Sequence, residues 1–134
     1  MKGHNISIVV PVYNEEKNLH ILHDRIRKVM KGVGKYEIIF VDDGSTDNSF
    51  KVLDKLHKQD KNVRIIKLRG NSGQTAALNV GFKQAKSSII VTMDADLQND
   101  PGDIPKLLNK LKEGYDVVSG WRHKRKDPIS KIFF

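Results

Sequence analysis

Five short runs rich in β-branched residues, separated by segments with helical spacing, constrain the fold of this chain more than any other feature. The runs are Ile6-Ser7-Ile8-Val9-Val10, Tyr36 to Val41, Val63 to Leu68, Ile89-Ile90-Val91-Thr92-Met93 and Asp116-Val117-Val118-Ser119. They read as strands, and the continuous ones as strands buried on both faces. Between them, Leu19, Leu22, Ile26 and Val29 fall on one helical face, as do Phe50, Leu53 and Leu56. Leu78, Phe82 and Ala85 form a third stripe, and Ile104, Leu107, Leu108 and Leu111 a fourth. Strands alternating with helices call for parallel strands joined by right-handed crossovers. The expected fold class is therefore α/β, a doubly wound, mainly parallel sheet with helices on both faces.

A length of 134 residues suits one domain rather than two. Apolar residues make up 38% and charged residues 30%, the balance of a globular protein. The apolar run Ile6 to Pro11 is too short for a signal-peptide core, so a cytoplasmic location is expected. With no cysteine, a thiolate metal site and a cysteine nucleophile are excluded, and any metal must be held by oxygen or nitrogen. The net charge is +8, and residues 122–134 hold five Lys or Arg against one Asp. Such a cluster is either a solvated surface or a contact for a phosphate-bearing partner. The composition changes there, which divides the chain into an α/β part, 1–121, and a basic tail, 122–134.

In sheets of this kind ligands bind outside the carboxyl ends of the strands. Here those ends carry Pro11-Val12-Tyr13-Asn14-Glu15, Asp42-Asp43-Gly44-Ser45-Thr46-Asp47 and Asp94-Ala95-Asp96-Leu97-Gln98. A basic protein thus gathers carboxylates along one edge of its sheet, where they repel unless a cation or hydrogen-bond donors offset them. If the extended backbone persists, Asp94 and Asp96 point the same way, and with Gln98 they present oxygen donors suited to Mg²⁺ or Mn²⁺. Alternatively the two aspartates form a turn and cap the helix after Pro101. One aspartate of the Asp42-Asp43 pair either caps a helix or accepts N–H groups of a nucleobase, and Tyr13 either stacks on that base or packs at the strand end. Helix starts are expected after Asn14 and around Ser45 to Asp47, where short polar side chains can cap free amides. The segment Gly70-Asn71-Ser72-Gly73-Gln74 matches neither the dinucleotide fingerprint nor a P-loop.

Taken together and in order, Ile8 to Glu15, Val41 to Asp47, Asn71 to Ala77 and Asp94 to Gln98 resemble the successive motifs of family 2 glycosyltransferases with the Rossmann-like GT-A fold. Asp94 to Gln98 with Val118 to Arg122 is similar to the branch that makes polyprenyl-phosphate sugars. The resemblance implies that Pro11, Tyr13 and Glu15 line a nucleotide pocket and that Asp43 holds the base, with Val41 close by. Asp42 is then structural. Asp94 and Ala95 would lie along the ribose and diphosphate, and Asp96 and Gln98, with Asp94, would hold the divalent metal. Arg122 would approach phosphate oxygens, so Asp96 and Arg122 are the catalytic candidates.

The activity so implied is inverting transfer of a sugar from a UDP-sugar or GDP-sugar to an acceptor, with a polyprenyl phosphate favoured because it needs no general base. A membrane surface is a further expected partner, nucleic acid is not, and a full-length form would sit at the inner face of the membrane. Family members continue into an acceptor-binding region, so the chain is expected to be incomplete at its C-terminus. Two other readings compete: a receiver-type phosphoacceptor domain, with the acidic pair after the wrong strand, and a non-catalytic nucleotide-binding domain of the same fold.

Overall fold

The computed structural model describes residues 5–114. Four parallel strands form one sheet: β1 (Ile6–Val12), β2 (Tyr36–Asp42), β3 (Val63–Lys67) and β4 (Ile89–Thr92). Four helices connect or follow them: α1 (Leu19–Met30), α2 (Ser49–Gln59), α3 (Gln74–Gln84) and α4 (Ile104–Lys112), the last entered through a 3₁₀ turn at Pro101–Asp103. The order across the sheet is β3-β2-β1-β4. The fifth expected strand, Asp116 to Ser119, lies outside the described residues, as do Arg122 and the basic tail.

Strand periodicity sorts the core into two layers. Ile6, Ile8, Val10 and Val12 of β1 and Ile38 and Phe40 of β2 pack with Leu19, Leu22, Ile26, Leu53, Leu56, Ile104 and Leu108. That layer carries α1, α2 and α4. Val9, Ile39 and Val41 point the other way, onto Ala77, Leu78 and Phe82 of α3. The central strands are therefore apolar on both faces, as a parallel sheet covered by helices requires. The third helix lies close on the sheet: a methyl group at Gly81 would meet Val9 Cγ1 at 2.3 Å.

The strand order decides against one competing architecture. A receiver-type sheet runs 2-1-3-4-5, with the third strand beside the first. Here β3 lies outside β2, and β1 is flanked by β2 and β4. The chain reverses its direction of travel between β1 and β4, so the switch-point crevice opens at their carboxyl ends.

The amino-terminal edge of the sheet is closed by a polar network. Buried Ser7 donates to Glu37 Oε2, whose other oxygen accepts from Arg64 Nη1 at 2.7 Å. Glu37 also takes the Lys86 amide, Ser7 Oγ takes the Ser87 amide, and Arg64 donates to the Gln84 carbonyl. One carboxylate thus ties three strands to the turn between α3 and β4. Burial pushes the Glu37 carboxyl up, but the hydrogen bonds from Ser7, Lys86 and Arg64 outweigh it and hold it below 4.5. The opposite edge carries the acidic loops.

Candidate nucleotide and metal site

The loops after β1 and β2 are bound to each other. The Asn14 amide donates to Ser45 Oγ, the Glu15 amide to Ser49 Oγ, and the Glu16 amide to Asp47 Oδ2. In return Asn14 Oδ1 accepts from the amides of Thr46 and Asp47. Asn14 was expected to open the first helix, yet α1 begins at Leu19, and Asn14 serves the neighbouring loop instead. It adopts a left-handed conformation, φ 54°, which asparagine tolerates better than most residues. Likewise α2 begins at Ser49, and Asp47 accepts from the Ser49 amide. This lock leaves Tyr13 42% exposed at the end of β1. Glu15, half-buried beside it, accepts from Asn18 Nδ2.

The Asp42-Asp43 pair divides between the two layers. Asp42 is fully buried, with Oδ1 accepting from the Ser45 amide and Oδ2 without a hydrogen-bond partner among the described residues. Asp43 is 4% exposed and takes the amides of Ser72 and Gly73, one on each oxygen at 2.8 Å. Neither carboxylate is exposed, and both accept backbone amides. Gly44 makes the turn possible: its φ is +78°, and a Cβ there would lie 2.9 Å from the Gly70 backbone. Asp43 and Gly44 together seat the segment Gly70 to Gly73 against the end of β2.

Beyond β4, Met93 and Ala95 continue the alternation into the large core, and Asp94 is half-buried on the way. The extended run does not carry on to Gln98, as the metal reading from spacing assumed. The chain bends over residues 95–97, with Leu97 left-handed at φ 67°. Asp96 Oδ1 accepts from the Gln98 amide, and both residues are exposed. Asn99, almost fully buried, accepts the Asp94 amide on Oδ1 at 2.7 Å. Asp94 Oδ1 accepts from Gln74 Nε2 at 2.9 Å. The cap before α4 comes from Asp100, which accepts from the Gly102 amide, so Asp94 and Asp96 are relieved of the capping role open to them in sequence.

Of the other expected pocket residues, Pro11 is half-buried near the end of β1. Val41 and Ala95 turn their side chains into the core, so any ligand contact they make goes through the backbone. Arg122 is outside the described residues. Among the described residues no three His, Cys, Asp or Glu side chains are grouped to form a metal cage. Asp94, Asp96 and Gln98 offer only hard oxygen donors within five positions. That set fits a small divalent cation that takes one or two carboxylates and completes its shell with phosphate oxygens and water.

Comparison with known proteins agrees with the fold and the motif order. Residues 7–133 match Glycosyl transferase family 2. The chain belongs to this family. Among the relatives of this family 2 chain, an undecaprenyl-phosphate 4-deoxy-4-formamido-L-arabinose transferase from Proteus mirabilis is 46% identical over 128 residues, which are 94% of this chain and 39% of that protein. One of the same description from Pseudomonas fluorescens is 45% identical, over 92% of this chain and 37% of that protein. The family 2 chain thus spans about two fifths of the length of the curated relatives it matches. Staphylococcus aureus TarS 1-349 in complex with UDP superposes with a TM-score of 0.71 at 28% identity, over 97% of this chain and 39% of that one. A mannosyltransferase from Pyrobaculum calidifontis, solved with GDP-Man and Mn²⁺, gives the same TM-score over 88% of this chain and 34% of its own, and at 24% identity shows the shared fold. Among the described residues no helix is long and apolar enough to cross a membrane.

Sequence reasoning missed Gln74, Ser49 and Asn99. The first two follow strand ends within polar segments and could have been weighed with the aspartates. Asn99 carried no signal, because only the bend at Leu97 brings it back to Asp94.

Proposed function

We propose that this chain is the nucleotide-sugar-binding part of an inverting glycosyltransferase that moves a sugar from a nucleoside-diphosphate donor to a polyprenyl phosphate. The observation that carries this reading is the adjacency of β1 and β4 at the switch point of the sheet, which puts an exposed Tyr13 and the oxygen donors Asp94, Asp96 and Gln98 on the carboxyl ends of neighbouring strands. Tyr13 offers its ring to the base, and Pro11, Glu15 and the backbone of Val41 border the same side. Asp43 contacts the base through the lone pairs left after it has taken the Ser72 and Gly73 amides. Asp94 and the backbone at Ala95 would run along the ribose and diphosphate, and Asp96 and Gln98, with Asp94, would hold the cation.

In the reaction an acceptor oxygen attacks the anomeric carbon, and the bond from that carbon to the diphosphate oxygen breaks with its electron pair leaving on the diphosphate. A bound Mg²⁺ or Mn²⁺ supplies Lewis-acid stabilisation of that departing charge. Asp96 and Gln98 would fix the place of that cation in advance of bond breaking, and Arg122 would add a fork-shaped donor to the diphosphate oxygens. A phosphate acceptor arrives already anionic, so no residue here has to remove its proton. The names of the relatives, undecaprenyl-phosphate 4-deoxy-4-formamido-L-arabinose transferases, support that acceptor, and with a lipid acceptor the reaction is expected at a membrane surface.

Calorimetry with UDP and GDP, each with and without Mn²⁺, tests the reading. One nucleotide is expected to bind in a metal-dependent way, and Asp96→Ala to abolish the dependence. Binding of neither nucleotide by the folded chain would sink it.

A further inference from the structure

The segment between β3 and α3 reaches across the carboxyl edge of the sheet and is held at two places by acidic residues. The amides of Ser72 and Gly73 are taken by Asp43 after β2, and Gln74, the first residue of α3, donates its side-chain amide to Asp94 after β4. Since β1 lies between β2 and β4, these contacts span the mouth of the crevice. The loop that bears Asp94 is fixed separately in its backbone. Asn99 takes the Asp94 amide, Asp96 takes the Gln98 amide, and the left-handed Leu97 between them packs against the large core. A leucine in that conformation is strained, and the surrounding contacts must offset the strain. With the backbone so fixed, the direction of the Asp94 carboxylate is set by what its oxygens meet.

We propose that Gln74 is a positioning residue for metal-assisted donor binding, holding the Asp94 carboxylate in place across the crevice through a donor that brings no charge of its own. The inference rests on the function proposed above. Its chemical basis is the neutrality of the donor. A lysine or arginine in the same place would orient Asp94 equally well but would also neutralise it, and would repel a divalent cation. A side-chain amide gives direction without charge. Gln74 itself is exposed and sits where α3 is pinned at one end by Asp43 and along its length by the close approach of Gly81 to Val9. Its Cα is therefore well fixed, and only its side chain has to be ordered.

The quantity to measure is the enhancement of UDP or GDP affinity by Mn²⁺, the ratio of affinities with and without the ion, obtained by calorimetry. Gln74→Ala is expected to lower the enhancement roughly 10- to 100-fold, the usual effect of removing a group that orients a metal ligand, with the melting temperature unchanged. Gln74→Lys keeps a donor in reach of Asp94 and is expected to lower the enhancement at least as far, because it brings a charge. Either an unchanged enhancement in Gln74→Ala or full recovery in Gln74→Lys would overturn the proposal, the first by denying Gln74 a part and the second by reducing it to a hydrogen bond. Equal losses of affinity with and without Mn²⁺ would also overturn it, as a purely structural effect. Absence of any Mn²⁺ enhancement in the unaltered chain would instead remove the functional reading on which the proposal stands.

Discussion

Replacing Gly81 by alanine probes the contact that sets α3 against the sheet. Considered as a helix alone, the change is favourable, since alanine exceeds glycine by about 1 kcal/mol in a helix interior. The tertiary structure reverses the sign. The new Cβ would lie 2.3 Å from Val9 Cγ1 and 3.3 Å from Cγ2, and Val9 is fully buried in the central strand between β2 and β4. Carbon atoms pack at about 3.5–4.0 Å, so helix or strand must give by more than an ångström. Overpacking of this kind costs about 1–3 kcal/mol, which leaves a net loss of up to about 2 kcal/mol after the gain in helix propensity. Urea denaturation should show a lower midpoint with an unchanged slope. In a Val9→Ala background, which removes both methyl groups, the same substitution should become neutral or stabilising by up to about 1 kcal/mol. Stabilisation by Gly81→Ala in the unaltered chain, or an equal loss in the Val9→Ala background, would refute the reasoning.

Asp43→Asn keeps one acceptor for the Ser72 and Gly73 amides and opposes an NH₂ group to the other. A charge-assisted bond is worth about 1.5–3 kcal/mol, and the exposure of Ser72 and Gly73 puts the loss at the lower end. Faster hydrogen exchange at those two amides, with weaker nucleotide binding, is the expected result, and unchanged exchange would count against Asp43 as the anchor of the segment. Glu37 makes stability depend on pH. Its carboxyl is held below 4.5 in the folded chain, so its contribution is fully present above that value and is lost as the pH falls through the folded value. The stability gap between the unaltered chain and Glu37→Gln, measured by denaturation at pH 7 and pH 3, should narrow in acid.

Much of this architecture follows from local pattern. Among the described residues the first four strands lie where β-branched runs put them, with ends moved by a residue or two, and the four helices cover the apolar stripes, α3 beginning four residues ahead of its stripe. Parallel pairing followed from the alternation of the two element types, because each crossover helix must cover a face of the sheet. The acidic strand ends were legible for the same reason, since the ends of apolar runs are visible in one dimension. The identity of the family was legible too, carried by four motifs in order along the chain.

Which acidic side chain does what was not legible, because partners distant in sequence assign those tasks. Asp42 and Asp43 are neighbours, yet strand alternation sends one to Ser45 and the other to the start of α3, about 30 residues further on. Asn14 looked like the cap of its own helix and instead binds the loop after β2, since a left-handed backbone turns its side chain toward Thr46 and Asp47. Spacing stacked Asp94, Asp96 and Gln98 on one side of an extended strand, but the bend at Leu97 breaks that alternation, and Gln74 reaches Asp94 from another helix. Periodicity reports which face of an element is buried, because burial repeats with the backbone. Hydrogen-bond partners of loop side chains have no such repeat, and only folding brings them within reach.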